Sequence, residues 1–240
     1  LLLAATDYIA RPQEMIEPLC GNCSDPHTEV TATTGFVVSG KGLVIVGDES
    51  GNTRLLTKAG YGLYFEDAES SQVRRLTVTD GRRDTDGNAT DAAIVVRRSQ
   101  VDILDCDLSG NSHRLDTVVV GIGGVIGREG AEITVRDCRI VDNGWDGIAL
   151  YRGASAHISD CLIRDGRGAG IGVTWDATCV ALRNEISGYW KGIGAFGTSW
   201  VIARNNLVHR NLGWGMIATG KSYMDMANNV VYRNGNCGIA

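Results

Sequence analysis

Apolar and polar residues alternate along this chain in short runs, and the runs recur in a fixed order. The residue pairs Val101/Ile103, Ile133/Val135, Ala156/Ile158, Cys179/Ala181, Val201/Ala203 and Met224/Met226 stand five and three positions before a column formed by Cys106, Cys138, Cys161, Asn184, Asn206 and Asn229. Two positions after that column come Leu108, Ile140, Ile163, Ile186, Val208 and Val231. A period of two within a run places all of these side chains on one face of a strand, which is the face turned to a core. A third run opens on Gly followed by Ile or Met, at Gly147-Ile148, Gly170-Ile171, Gly192-Ile193, Gly215-Met216 and Gly238-Ile239, so its first residues are spaced by 23, 22, 23 and 23.

A period this short cannot hold a helical hairpin, but it fits one coil of three short strands. The sequence therefore predicts an all-β solenoid, a single-stranded parallel β-helix whose coils stack into three parallel sheets. We call the Gly-Ile strands sheet one, the strands before the column sheet two, and those after it sheet three. The chain reads as one domain: residues 1–40 as an N-terminal cap with a first irregular coil, and 41–240 as regular coils that stop in mid-coil. Within the cap, Leu1 to Ile9 is expected to be a helix covering the open end. The unprotected last coil would allow end-to-end self-association.

Composition agrees with many tight turns, since Gly is abundant (32 of 240) and Pro scarce (3). The net charge of −5 is spread over interspersed acids and bases, which gives no footprint for nucleic acid. No apolar run approaches the roughly 18 residues of a membrane span. Of the seven cysteines, Cys106, Cys138, Cys161 and Cys179 fall on inward positions and read as core thiols. Cys20 and Cys23 would form a local disulfide, remain free thiols or contribute to a metal site. A second column, Asp105, Asp137 and Asp160, reads as a structural ladder of turn residues, with calcium as the alternative.

Candidate chemistry gathers beside sheet one. Its outward positions, Tyr64, Val95, Ala149, Gly172, Gly194 and Ile217, become nearly bare of side chains toward the middle. The turns on either side carry Trp145, Asp146, Arg167, Trp190, Lys191 and Trp214 on entry, and Glu66, Arg97, Tyr151, Trp175 and Phe196 on exit. A smooth floor between aromatic and charged walls describes a groove along the solenoid axis. Sugar rings repeat at about the rung spacing of ~4.8 Å, so an extended polysaccharide is the expected guest.

Two expanded entry loops, Asp80–Asp91 and Gly110–Asp116, add carboxylates, His113 and several arginines on the same edge. His113 has the unperturbed pKa best suited to proton transfer. Tyr151 would deliver a proton, Asp146 would assist, and Arg97 or Arg114 would hold a substrate carboxylate. Arg114, Glu66 and the tryptophans would bind substrate. Asp84, Asp86 and Asp91 are the candidate ligands of a calcium ion, in a loop whose spacing does not complete an EF-hand; the alternative is a solvated surface loop. His157 and His209 read as surface residues.

The repeated Asp-Cys and Asn-Asn column, the turn and strand Asn143-Gly144-Trp145-Asp146-Gly147-Ile148, and the run Gly40-Lys41-Gly42-Leu43-Val44-Ile45-Val46-Gly47 closely resemble the right-handed parallel β-helix superfamily. Pectate lyases, polygalacturonases, alginate lyases and mannuronan C5-epimerases belong to it. The resemblance covers nearly the whole chain and implies a cleft on the first sheet, a polysaccharide partner and a secreted or periplasmic location. Asp25-Pro26-His27 resembles the Asp-Pro-His element of the epimerases but precedes the regular coils. No Asn-Thr-Asp, Asp-Asp or Gly-His-Gly set resembling polygalacturonases is present, and hence no paired carboxylates for glycoside hydrolysis. The resemblance thus points to a lyase or epimerase on a uronate-containing glycan, with a non-catalytic glycan-binding or structural solenoid as the rival.

Overall fold

A computed structural model describes residues 1–240. It consists of strands and turns without a helix. Three sheets run its length, with 10 strands in sheet one, eight in sheet two and nine in sheet three. Successive coils pair in parallel and in register: Val101 lies beside Ile133, then Ala156, Cys179, Val201 and Met224. Leu108, Ile140, Ile163, Ile186, Val208 and Val231 align likewise in sheet three. The inward columns expected from the alternation thus form a continuous apolar core between the sheets.

Buried polar columns need hydrogen bonds along the axis. The amide of Asn184 donates to Asn206 Oδ1 at 3.0 Å and to the carbonyl of Ile158 at 3.0 Å; Asn206 does the same toward Asn229 and Ala181. Where cysteine replaces asparagine, the thiols of Cys106, Cys138 and Cys161 point to nearby carbonyls and stay unpaired with one another. Cys179 is also a buried free thiol, and burial pushes it up to about 12. A second amide ladder joins Asn111 to Asn143 and Asn211 to Asn234, at the turns entering sheet one.

The column Asp105, Asp137, Asp160, Arg183, Asn205 and Asn228 adopts left-handed backbone in every coil, with φ between 52° and 58°. It is a structural turn ladder: Asp and Asn tolerate that conformation best among residues with a side chain, and Arg183 clasps Asp160 with two bonds of 2.7 Å.

Several expectations need correction. Residues 1–9 are extended rather than helical: Leu2 bridges to Val46 and Asp7–Ile9 pairs with Arg54–Leu56 in sheet three. Pairing there satisfies sheet-edge backbone groups while Leu3 and Tyr8 pack on the core. A coil also lies between those of Val95 and Ala149, because Gly123–Arg128 is a sheet-one strand with Ile126 outward. His209 is not a surface residue; it is buried under Tyr232, stacked at 5.1 Å, with Nε2 3.3 Å from Glu185.

The largest departure concerns the outer face of sheet one. Gln13–Glu17 pairs antiparallel with the start of Val30–Ser39, and this hairpin with its connecting loop folds over the outward side of the early coils. Tyr64, Val95, Ile126 and Ala149 are consequently buried in a second apolar cluster with Cys20, Val30 and Ala32. The early floor is therefore not bare; it is roofed.

Candidate functional site

Five charged side chains pin the roof to the sheet. Glu17, wholly buried, receives Arg128 Nη1 at 2.8 Å, Arg97 Nη1 at 3.3 Å and the hydroxyls of Tyr61 and Tyr64 at 2.7 and 3.3 Å. Arg97 also meets Glu66 at 2.9 Å and Glu129 at 3.2 Å, while Arg128 meets Glu129 at 2.7 Å and donates to Leu19 O. Arg97 is thereby committed to three carboxylates and sealed from solvent, and Glu66 is committed to Arg97 and Arg98. Arg97 is not open to a substrate, which corrects its expected role; Glu66 stays partly exposed with its carboxylate engaged by these arginines.

The loop joining the hairpin strands is closed by a disulfide between Cys20 and Cys23. Arg152 donates to the carbonyls of both cysteines from beneath and lies 4.6 Å over the ring of Trp175. Trp175 and Arg152 thus support the roof. In the same loop, Asp25 and His27 are exposed and bonded to each other through the His27 N–H at 2.9 Å, with no part in the cleft.

The Asp-rich loop is a clamp for the hairpin rather than a calcium site. Asp84 accepts from Thr33 N–H and hydroxyl at 2.8 and 2.7 Å, Asp86 from Thr31 N–H at 2.9 Å, and Asp91 from Arg83 and from Asp84 N–H. Every oxygen of the three except Asp91 Oδ1 accepts from these donors or from Asn88 N–H, and no cluster of three metal-ligating side chains exists. Burial, and then the neighbouring Asp84, raises Asp91 to about 7. His113 is exposed and accepts from Arg83 N–H at 3.2 Å, outside the cleft. Arg114 is exposed near Asp142, Asp165 and Arg167, on the outside of the entry turns.

Of the expected catalytic residues, the structure brings Asp146 and Tyr151 together. They lie at the two ends of the strand Ile148–Leu150, one on the entry turn and one on the exit turn, so the floor residue Ala149 sits between them. Both border two adjoining cavities. One, of about 300 Å³, extends under the roof, between Asn22 and Cys23, the loop Gly87–Asp91 and the floor residue Ile126. The other, of about 160 Å³, opens over Gly172 and is walled by Lys191, Thr174 and Phe196.

Gly172 is the bare part of the floor: a Cβ there would have no neighbour nearer than 3.4 Å. At Gly194 the ring of Phe196 lies where a Cβ would be, 2.6 Å from that position, and surfaces the floor with an aromatic plate. Lys191 Nζ is 5.3 Å from that ring. Trp145 borders both cavities and carries Arg167 at 5.6 Å. Trp190 and Trp214 pack edge to face at 5.6 Å on the next entry turns, farther along the axis.

Electrostatically, Asp146 stands apart from the other carboxylates. One oxygen accepts Ala169 N–H at 2.6 Å; the other is turned toward the bare floor, 4.0 Å from where a Cβ on Gly172 would be, and has the Tyr151 hydroxyl as its neighbour. Burial raises it to about 6, against the opposing effects of the Ala169 N–H, Lys191 and Tyr151. Burial also raises the Tyr151 phenol, with Asp146 adding to the effect. A carboxyl poised near neutrality beside a phenol and an ammonium is a set suited to proton transfer.

The family model for the right-handed β-helix region matches residues 22–184 and, overlapping, 121–240. The chain belongs to that family. No curated protein sequence matches it. Among solved structures, a variant of the catalytic domain of GH87 alpha-1,3-glucanase, in complex with tetrasaccharides, shares 14% identity at a TM-score of 0.30. That match covers 100% of this chain and 55% of the other, so the chain spans about half of that protein's length.

Proposed function

We propose that this right-handed β-helix protein binds an acidic sugar chain in the sheet-one cleft and moves a proton on it, with Asp146 as base, Tyr151 as acid and Lys191 as charge partner. The observation that carries the reading is a buried carboxyl, raised to about 6, that borders both adjoining cavities beside Tyr151. A flat, partly aromatic floor suits sugar rings, which stack on apolar faces and hydrogen-bond at their edges.

On a uronate, Asp146 Oδ2 would take the proton α to the carboxylate. The C4–O4 bond breaks as the C4–C5 double bond forms, and Tyr151 gives its proton to the departing oxygen. Lys191 offsets the negative charge that builds on the substrate carboxylate. After one turnover Asp146 holds a proton and Tyr151 lacks one, and transfer between these neighbours restores the set. Two-carboxylate hydrolysis is not supported: the other carboxylate bordering the cavities, Asp91, has a fully buried side chain paired with Arg83.

The test uses a panel of 1,4-linked oligouronates, reading binding by calorimetry, unsaturated product by absorbance, and exchange of the C5 proton in deuterated water. Product establishes elimination, and exchange without product establishes epimerisation. Binding with neither would show a glycan-binding module and overturn the catalytic roles; absence of binding to every member would overturn the sugar reading itself.

A further inference from the structure

The two cavities that meet at Asp146 are unequal, and the difference follows from the roof. On the side of the later coils the floor continues from Ala149 to Gly172 and on to the Phe196 plate over Gly194, between half-open walls. On the side of the earlier coils it continues for one rung only, to Ile126. The next outward residues, Val95 and Tyr64, border neither cavity, because Cys20, Val30 and Ala32 pack on them. The roof cannot easily swing aside, since it is held by the buried Glu17 with Arg128 and Arg97 and by Arg152 on both cysteine carbonyls. A chain lying along the floor has a way in from one direction and a wall at the other.

We infer that the cleft takes its sugar chain by a terminus: the last unit enters the roofed cavity over Ile126, the chain behind it leaves over Gly172 and Phe196, and the bond presented to Asp146 and Tyr151 is the terminal one. This rests on the reading of the cleft as a sugar site and adds the mode of action. Rungs stand about 4.8 Å apart, close to the length of one sugar unit, so the single rung between Asp146 and the wall has room for one unit. With Asp146 taking the C5 proton and Tyr151 protonating the departing oxygen, each elimination shortens the chain by one unit, and no water or oxidant is consumed.

The experiment uses the intact protein with 1,4-linked oligouronates of two to eight units, labelled at the reducing end, analysed while less than about a tenth has reacted. The expected products are a single unit and the chain shortened by one, at every length. A spread of intermediate sizes from the first time points would overturn terminal recognition while leaving the sugar site standing. In parallel, Asp146→Asn is titrated with the same series. Recognition of an end predicts an affinity per chain that levels off at three or four units and is the same for a long polymer. An affinity per chain that keeps rising in proportion to length would mean internal binding and overturn the inference even if turnover were absent. If no oligouronate binds at either protein, the sugar reading fails and this inference falls with it.

Discussion

Glu17→Gln is the sharpest perturbation of the roof, because it removes one charge and changes little in volume. In the native protein this carboxylate is wholly buried and takes four donors, two of them guanidinium groups at 2.8 and 3.3 Å. Breaking a buried ion pair by neutralising one partner costs about 3–5 kcal/mol, chiefly because the other charge stays buried. Here the lower end applies, since Arg128 and Arg97 both retain Glu129. The cost falls on the hairpin, which Glu17 joins to the coils; the later coils contact only their neighbours and should not register it. About 3 kcal/mol corresponds to roughly a hundredfold rise in the open fraction of the roof. Amide exchange reads this directly: the Thr31 and Thr33 N–H groups, which donate to Asp86 and Asp84, should lose about two decades of protection, while amides of Ile171 and Ile193 stay as they were. Unchanged exchange at Thr31 and Thr33 would refute the assignment of Glu17 as the pin, and equal loss throughout would refute a locally held roof.

Three further outcomes are expected. Asp146→Asn should be more stable than the native protein above pH 7, by up to about 3 kcal/mol for a carboxyl raised from 3.8 to about 6. The sign follows from the raised value: the native carboxyl favours folding below its unfolded pKa and loses that contribution as pH rises through about 6, so chemical denaturation at pH 4 and pH 8 should show the variant's advantage only at pH 8. Gly172→Trp should fold normally, because the position is open and its backbone ordinary, yet abolish oligouronate binding by filling the floor. Asn206→Ala should cost about 2–4 kcal/mol in denaturant unfolding, since it strands the amide of Asn184 and the carbonyl of Ala181 in the core.

Much of this protein was legible because each coil repeats the same demand. A strand with one buried face fixes the alternation, and stacking fixes the period, so the columns of Val101, Leu108 and Cys106 could be aligned without coordinates. The coil of Gly123–Arg128 carries the same signal, Gly124-Val125 standing 23 residues before Gly147-Ile148. It was missed because the long loop ahead of it displaced the count. Asp146 and Tyr151 were legible as a pair for a related reason, flanking one short strand. The roof was not: Glu17 meets Arg128 across 111 residues, and nothing periodic announces a hairpin that folds back over a sheet. For the same reason Arg97 looked like Arg152 or Lys191 in sequence, an exposed cation at a turn, until the carboxylates above it were in place. The Asp84–Asp91 loop showed its charges but not that Thr31, Thr33 and Arg83 already occupy them.

If Asp146 is the proton-transfer group of an acidic-sugar site, the pH profile of oligouronate turnover in the native protein and in Asp146→Asn will show it. In the native protein kcat/KM should rise with pH through about 6, as the carboxyl becomes the free base. Turnover in the variant should fall by roughly 10²–10⁴ with the affinity for oligouronate retained. Turnover in the variant equal to the native protein's, with the same pH dependence, would contradict it.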